Sequence, residues 1–204
     1  MSATPPAESP PAESLPASFF EDFYARDPDP WGFARSDYER DKYAATLAAL
    51  PRARYTSVLE VGCSIGVLTR QLAERCDRLL SVDAAEAPLA AARERNADAP
   101  QVTLRRARIP EDWPAGESFD LILLSEVLYY FNRADLATVT ARVLGALRSG
   151  GDAVLVHWLP VADPPYPLTG DEAVDGFMAA AGPALHPLLA RRESLYRLDV
   201  LRRA

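Results

Sequence analysis

From Ser57 onward, short apolar runs of strand type alternate with stretches whose apolar residues recur at helical spacing. Continuous apolar strands separated by amphipathic helices are typical of a parallel sheet covered on both faces. The last two runs lie close together without a helix between them, which predicts an antiparallel hairpin. We therefore predict an α/β fold with a doubly wound, mostly parallel seven-stranded sheet and a C-terminal antiparallel β-hairpin. The predicted strands are Val58–Val61, Leu79–Val82, Val102–Arg106, Phe119–Leu124, Ala153–His157, Leu185–Arg192 and Leu195–Leu201.

Helices are predicted between these strands from apolar residues spaced three and four positions apart. Asn132 is expected to cap the helix after the fourth strand, and Gly150-Gly151 is expected to end it. Before the first strand, a short aromatic helix begins near Phe19, and a longer helix runs from its expected cap, Asp37, to Leu50. The other predicted helices cover residues 67–75, 88–96, 134–147 and 171–181.

The first 17 residues differ in composition from the rest of the chain. They contain a tandem PPAES repeat with five prolines and no aromatic residue. Such a segment cannot bury enough apolar surface to offset its ordering entropy, so we predict a disordered tail over residues 1–17. The folded domain is expected to cover residues 18–204, with residues 18–50 as its N-terminal helical part.

Charge and hydropathy narrow the functional class. Twenty-nine acidic residues against 22 basic ones give a net charge of −7. This disfavours a general nucleic-acid-binding role, because such proteins neutralise phosphates with a basic face. No apolar run approaches a membrane span, and the first residues lack the basic and apolar regions of a signal peptide. We expect a cytoplasmic protein that binds a small molecule, without nucleic-acid or membrane partners.

The basic residues and the cysteines are also informative. Lys42 is the only lysine, so arginine clusters such as residues 105–108 reflect a general bias and are interpreted as solvated surface. Cys63 and Cys76 are too few for a disulfide framework. Because no cluster of His, Asp and Glu has ligand spacing, no metal site is predicted.

The chemistry is expected where the first strand ends. The segment Glu60-Val61-Gly62-Cys63-Ser64-Ile65-Gly66 follows that strand and opens the next helix. Gly62 allows a sharp turn, and Gly66 allows the helix to approach the sheet and a ligand closely. Asp83 ends the second strand, where an acidic residue of an open α/β sheet can bind both hydroxyls of a ribose. This combination fits a dinucleotide or S-adenosylmethionine (SAM).

Three features favour SAM over a dinucleotide. Ser64 stands where a dinucleotide fingerprint has its second glycine, the residue that makes room for pyrophosphate. Glu60 suits the cationic end of a ligand better than a phosphate. The terminal hairpin is typical of SAM-dependent methyltransferases, in which the last strand inserts antiparallel.

With these features the chain resembles the class I SAM-dependent methyltransferases, which have a Rossmann-like fold, and within them the nodulation protein S (NodS) family. The resemblance covers about residues 19 to 203. NodS proteins N-methylate the free amino group of a deacetylated chitooligosaccharide, and their relatives act on assorted small molecules, so an amino sugar or related metabolite is implied as the partner. The segments that carry the resemblance are DPWGF at 29–33, YERDKY at 38–43, SEVLYY at 125–130 and YRLDV at 196–200.

The resemblance implies a role for each site residue. The methionine part of SAM would contact the first turn, Asp83 would bind the ribose and Ala84 would line the adenine. An N-terminal lid over residues 18–50 would shield the site from water. The residues implied in cofactor binding are Glu60, Gly62, Cys63, Gly66, Asp83, Ala84, Arg108, Ile109 and Ser125, together with Trp31, Tyr38 and Lys42 of the lid.

Methyl transfer is an in-line displacement at the sulfonium methyl group that leaves S-adenosylhomocysteine (SAH). The enzyme mainly positions two reactants and excludes water. A neutral amine is already a competent nucleophile and needs only a group that orients it and receives a proton. Glu126, Tyr129 and His157 are the candidates for that catalytic role.

Competing interpretations stay open on the sequence alone. A hydroxyl or carboxylate acceptor would need a base such as His157, and a non-catalytic SAM-binding module would bind the cofactor without turnover. A nucleotide-dependent oxidoreductase is disfavoured by Ser64 and by the terminal hairpin. Residues 163–166 match the Asp-Pro-Pro-Tyr box of nucleobase methyltransferases but follow the fifth strand instead of the fourth, so we interpret residues 158–170 as a substrate-side loop.

Overall fold

The computed structural model describes residues 10–204 and contains one seven-stranded sheet in the order β3-β2-β1-β4-β5-β7-β6. Strands β1 to β5 are parallel, and β7 lies antiparallel between β5 and β6. The predicted fold class, including the antiparallel hairpin, is confirmed. The strands are β1 (Val58–Val61), β2 (Leu79–Asp83), β3 (Val102–Arg106), β4 (Phe119–Ser125), β5 (Leu147–Trp158), β6 (Leu185–Arg192) and β7 (Tyr196–Arg203).

The helices begin near the predicted positions, and their caps explain where they start. Asn132 accepts from the backbone N–H of Asp135 and caps α5 as predicted. Asp37 was expected to cap α2, but Ser36 is the cap and accepts from the N–H of Glu39, so Asp37 begins the first turn. The helices are α1 (Ala17–Arg26), α2 (Asp37–Ala49), α3 (Val67–Ala73), α4 (Glu86–Arg95), α5 (Arg133–Ala146) and α6 (Gly170–Ala181).

One predicted boundary is wrong. Gly150-Gly151 does not end α5, because α5 stops at Ala146 and β5 begins at once at Leu147. Gly150 has φ +71°, and the β4–β5 register shifts between Phe119 and Leu121. The glycine pair therefore belongs to an irregular start of the strand, where positive φ is inexpensive for glycine.

The core lies on both faces of the sheet. Within β4, Ile122 and Leu124 pack into one apolar cluster with α5 and α6, while Leu121 and Leu123 pack into the other. All four are fully buried. Successive residues of a strand point to opposite faces, so a strand buried on both sides must be apolar throughout.

The order of the strands places the crevice of the sheet. The chain leaves β1 toward β2 and β3 on one side, and returns to β4 and β5 on the other side. Ligands of open α/β sheets bind outside the carboxyl ends of the strands at such a reversal. Here those ends carry Gly62, Asp83 and Ser125.

The N-terminal segment is tied to the body by polar contacts. Glu21 of α1 accepts from the backbone N–H groups of Glu86 and Ala87, so it caps α4 from another helix. Ser14, within the predicted tail, bonds to Asp135, and residues 1–9 of that tail lie outside the described residues. Among the helices described, none is long and apolar enough to cross a membrane.

Candidate active site

A cavity of about 530 Å³ lies over the carboxyl ends of β1, β2 and β4 and beneath α1 and α2. The cavity brings together residues that lie far apart in the sequence. The predicted site residues that line it are Trp31, Tyr38, Lys42, Glu60, Gly62, Cys63, Asp83, Ala84, Arg108, Ile109, Ser125, Glu126 and Tyr129. Gly66 and His157 do not line the cavity.

One side of the cavity, here called the turn wall, consists of residues 60–64, 83–84 and 108–109. Gly62 has φ +81°, and a Cβ built there would lie 2.2 Å from Cγ1 of Val127. Ser64 also has positive φ, at +49°. Both the backbone conformation and the close approach to the β4 end require glycine at position 62.

Gly66 serves helix packing. It has φ +74° and precedes α3, and a Cβ there would lie 2.9 Å from the Cβ of Ala92 on α4. Its absent side chain therefore lets α3 and α4 approach each other. The predicted contact of Gly66 with the methionine part of SAM remains a prediction.

Asp83 closes the turn wall at the end of β2. Its two carboxylate oxygens accept from the backbone N–H of Ser64 at 2.8 Å and of Ala85 at 3.0 Å. Burial raises the pKa of Asp83 to about 6, against the effect of these backbone donors. Each oxygen keeps lone-pair capacity for a further donor in the cavity.

Glu60 lies at the base of the turn wall. Its Oε2 accepts from the hydroxyls of Thr69 at 2.7 Å and Ser81 at 2.6 Å. Burial raises the pKa of Glu60 to about 7 although both hydroxyls favour the charged form. Next to it, burial raises the pKa of the Cys63 thiol well above its usual value, which is typical of an unreactive cysteine.

A second group of lining residues, here called the ionic wall, consists of Tyr38, Glu39, Lys42, Glu126 and Tyr129. Lys42 Nζ donates to Glu126 Oε1 at 2.5 Å and to Glu39 Oε1 at 2.9 Å, and it lies 4.9 Å from the centre of the Tyr38 ring. Burial opposes the charge of Lys42, but the two carboxylates outweigh burial and raise its pKa. The lysine is only 2% exposed.

Glu126 joins this wall to the sheet. Its Oε2 accepts from the Tyr129 hydroxyl at 2.8 Å and from the backbone N–H of Trp158 at 2.8 Å. Its φ of +58° is uncommon for a residue other than glycine. Such backbone strain persists only where surrounding contacts hold it, and here three donors hold the side chain.

His157 was expected to face the crevice as a base, and the structure contradicts this. The side chain is fully buried, with its ring 5.6 Å from that of Tyr129 and its Nε2 accepting from the backbone N–H of Leu128 at 3.0 Å. Burial lowers the pKa of His157 to about 4. The next residue of β5, Trp158, lines the cavity in its place, because adjacent strand residues point to opposite faces.

Other lining residues were not predicted. Tyr24 of α1 shares a hydrogen bond of 2.5 Å with the Ser64 hydroxyl and ties the helix to the turn wall. Glu39 lies three residues before Lys42 on α2, and this spacing was the available sequence signal for a shared face. Asp163 and Tyr166 belong to residues 158–170, which were interpreted as a substrate-side loop, and they also line the cavity, with the Tyr166 ring stacked on Tyr129 at 5.4 Å.

In the described part of the chain, residues 10–204, no group of three or more His, Cys, Asp or Glu side chains is arranged to hold a metal ion. The turn wall offers carboxylates and tight backbone, and the ionic wall offers two carboxylates around one ammonium group.

Comparison with known sequences relates this geometry to a family. The profile of one family, described as Nodulation protein S (NodS), matches residues 20–156. Nodulation protein S of Sinorhizobium fredii is 31% identical over 116 residues, which are 56% of this chain and 52% of that protein. Ubiquinone biosynthesis O-methyltransferase of Hahella chejuensis is 33% identical over 143 residues, which are 65% of this chain and 56% of that protein. The chain spans about half the length of the curated relatives it matches.

A solved structure shares the fold. It is that of the N-methyltransferase NodS from Bradyrhizobium japonicum WM9 in complex with SAH. The TM-score is 0.76 at 22% identity, and the match covers 92% of this chain and 97% of the other. The agreement extends over nearly the whole of both chains, including the antiparallel end of the sheet.

Proposed function

The chain belongs to the NodS family of SAM-dependent methyltransferases, and on that premise we propose that it transfers the methyl group of SAM to an amine of a small polar acceptor. One observation carries the proposal. The glycine turn at residues 60–64 and Asp83 share one wall of a cavity that the ionic wall also lines. A cofactor and a polar acceptor therefore have separate surfaces in one chamber.

The residues present fit the cofactor. A cavity of about 530 Å³ is within the usual range for small-molecule sites, roughly 300–1,000 Å³. Asp83 has carboxylate lone pairs for the ribose hydroxyls, and Ala84 and Ile109 offer apolar surface for the adenine ring. Glu60 and the backbone of the turn would receive the methionine part. When bound, SAM supplies an electrophilic methyl group on a sulfonium.

Two observations support an amine as the acceptor. The structural relative from Bradyrhizobium is described as an N-methyltransferase, and a neutral amine needs no strong base. His157, the base that a hydroxyl acceptor would need, is buried and accepts a backbone hydrogen bond. The O-methyltransferase relatives keep a hydroxyl acceptor as the second candidate.

We propose an amino sugar or a related metabolite as the acceptor class. The aromatic rings of Tyr129, Trp158 and Tyr166 line the cavity and offer flat surface for the apolar face of a sugar ring. Glu126 and Tyr129 provide polar groups beside them. Their role as catalytic residues rests on this position in the cavity.

Calorimetric titration with SAM, SAH and NAD tests the cofactor. We expect micromolar binding of SAM and SAH to the wild-type protein and no binding of NAD. Asp83→Ala should lose at least tenfold in affinity, because the ribose loses a charged acceptor. Asp98→Ala, which removes an exposed carboxylate paired with Arg70, is the matched control. Binding of NAD alone would contradict the proposal.

Transfer of an isotopically labelled methyl group from SAM tests the acceptor class. Glucosamine should be methylated and N-acetylglucosamine should not, because acetylation removes the nucleophilic amine while leaving the hydroxyls. Methylation of both sugars would favour a hydroxyl acceptor. SAM binding without turnover on an amine library would favour a non-catalytic binding module.

A further inference from the structure

Two buried polar atoms of the ionic wall have no hydrogen-bond partner in the described part of the chain. Within residues 10–204, neither the hydroxyl of Tyr38 nor Oε2 of Glu39 finds a hydrogen-bond partner. Both residues line the cavity, and the side chain of Glu39 is only 9% exposed. Buried polar groups of native proteins are almost always satisfied, so two neighbouring exceptions indicate a missing ligand group.

The charge of the wall indicates what that group is. Glu39 and Glu126 contribute two carboxylates, and Lys42 contributes one ammonium between them. One negative charge is left over, in surroundings where an uncompensated charge is costly. Oε2 of Glu39 also lies 2.9 Å from Lys42 Nζ, but that contact lacks hydrogen-bond geometry.

Glu126 is the less available of the two carboxylates. Both of its oxygens are engaged, by Lys42 on one side and by Tyr129 and the N–H of Trp158 on the other. Glu39 holds the free oxygen, and burial raises the pKa of its carboxyl group above the usual value. A carboxylate oxygen only accepts, so the missing group must donate.

We propose that Glu39 and Tyr38 form a subsite for a primary ammonium or amine group, which donates to Glu39 Oε2 and contacts the Tyr38 hydroxyl. The inference rests on the proposed function and adds two residues that recognise the amine. An amine carries several N–H donors and a positive charge in its protonated form, so it can satisfy both atoms and balance the extra carboxylate. A neutral hydroxyl can also reach both atoms, by donating to Glu39 and accepting from Tyr38, but it brings no charge.

Two sources can supply this group: the acceptor, or the methionine part of the cofactor. The network through Glu126 favours the acceptor, because it joins the ionic wall to Tyr129 and Trp158, whose rings are proposed above to contact the acceptor. The two sources are separable without knowing the acceptor. Sinefungin resembles SAH but carries an additional amino group at the position of the transferable methyl group.

The experiment is calorimetric titration of sinefungin, SAH and 5′-methylthioadenosine against the wild-type protein and three variants. Glu39→Gln keeps the shape and the contact with Lys42 but removes the negative charge. Tyr38→Phe removes only the hydroxyl, and it serves as an independent test if Glu39→Gln folds poorly. Asp41→Asn is the matched control, because it removes one exposed carboxylate from the same helix.

If the acceptor supplies the amine, Glu39→Gln weakens sinefungin about tenfold to a hundredfold and leaves SAH unchanged. Tyr38→Phe weakens sinefungin by a smaller factor, about threefold, and Asp41→Asn changes nothing. If the cofactor supplies it, Glu39→Gln weakens SAH and sinefungin equally. In that case 5′-methylthioadenosine, which lacks the amino-acid part, binds as before.

The inference is overturned if Glu39→Gln and Tyr38→Phe bind all three compounds like the wild-type protein. It is also overturned if the variants lose affinity for 5′-methylthioadenosine as much as for the other two compounds, because that indicates a general disturbance of the cavity. Failure of the wild-type protein to bind SAH would overturn the proposed function and the subsite together. If the wild-type protein binds SAH but the variants do not weaken binding as expected, only the subsite is overturned.

Discussion

The turn wall and the ionic wall line one cavity, but they are built in different ways. The turn wall is shaped by backbone: residues with positive φ at 62 and 64, and N–H groups that donate to Asp83. The ionic wall is shaped by side chains that meet from distant parts of the chain, such as Lys42 and Glu126. A wall of backbone tolerates few changes of shape, whereas a wall of paired charges tolerates few changes of charge.

The largest effect is expected for Lys42→Met, in the ionic wall. The variant leaves Glu39 and Glu126 as two buried carboxylates without their shared cation. We expect the free energy of unfolding to fall by about 3–5 kcal/mol, measured by urea denaturation at pH 7.5. Arg40→Met, on the exposed face of the same helix, should have little effect. Equal losses in the two variants would show that burial of the charge does not distinguish this wall.

Gly62→Ala tests the other wall. The methyl group has no room beside Val127, and φ of +81° is strained for alanine. We expect the unfolding free energy to fall by about 1–3 kcal/mol and SAH affinity to fall with it. The double variant Gly62→Ala/Val127→Ala should recover the stability lost to the clash with Val127. It should keep the loss that comes from the positive φ.

Gly145→Ala is the control for this change. The described residues leave open space around Gly145 on α5, so alanine there should be neutral or slightly stabilising. If the double variant recovered full stability, the clash with the side chain of Val127 would be the whole cost. The turn wall would then depend on side chains in the same way as the ionic wall.

The smallest expected effect is a dependence of SAH affinity on pH. Burial raises the pKa of Asp83 to about 6, and only the ionised carboxylate accepts both ribose hydroxyls. At pH 5 about one-tenth of Asp83 is ionised, so SAH should bind about tenfold more weakly than at pH 8. Asp83→Asn should bind weakly at both pH values and lose this dependence. A pH dependence that persists in Asp83→Asn would assign it to another group, Glu60 being the nearest in pKa.

The turn wall could be predicted from sequence because its information is local. Apolar strands, a glycine at each bend and an acidic residue at the end of β2 follow one another within about 25 residues. The same holds for the seven strands and for the Asn132 cap. The Asp37 cap was wrong by one residue, because Ser36 and Asp37 both carry a suitable oxygen and the pattern does not distinguish them.

The ionic wall could not be predicted in the same way. Lys42 and Glu126 were each singled out, but their pairing joins residues 84 positions apart and depends on how α2 lies across the sheet. His157 failed for a related reason. The predicted strand ended at His157, whereas β5 ends at Trp158. A one-residue shift along a strand exchanges the two faces, so Trp158 lines the cavity and His157 lies in the core.

Lys42 is the only lysine in the chain and is 2% exposed on the buried face of α2. Among the side chains, amine-reactive reagents therefore have this ammonium as their target. Acylation at Lys42, read by mass spectrometry, would require its ammonium to leave Glu39 and Glu126. The rate of acylation thus reports how often these ion pairs open, and no label or engineered residue is needed to measure it.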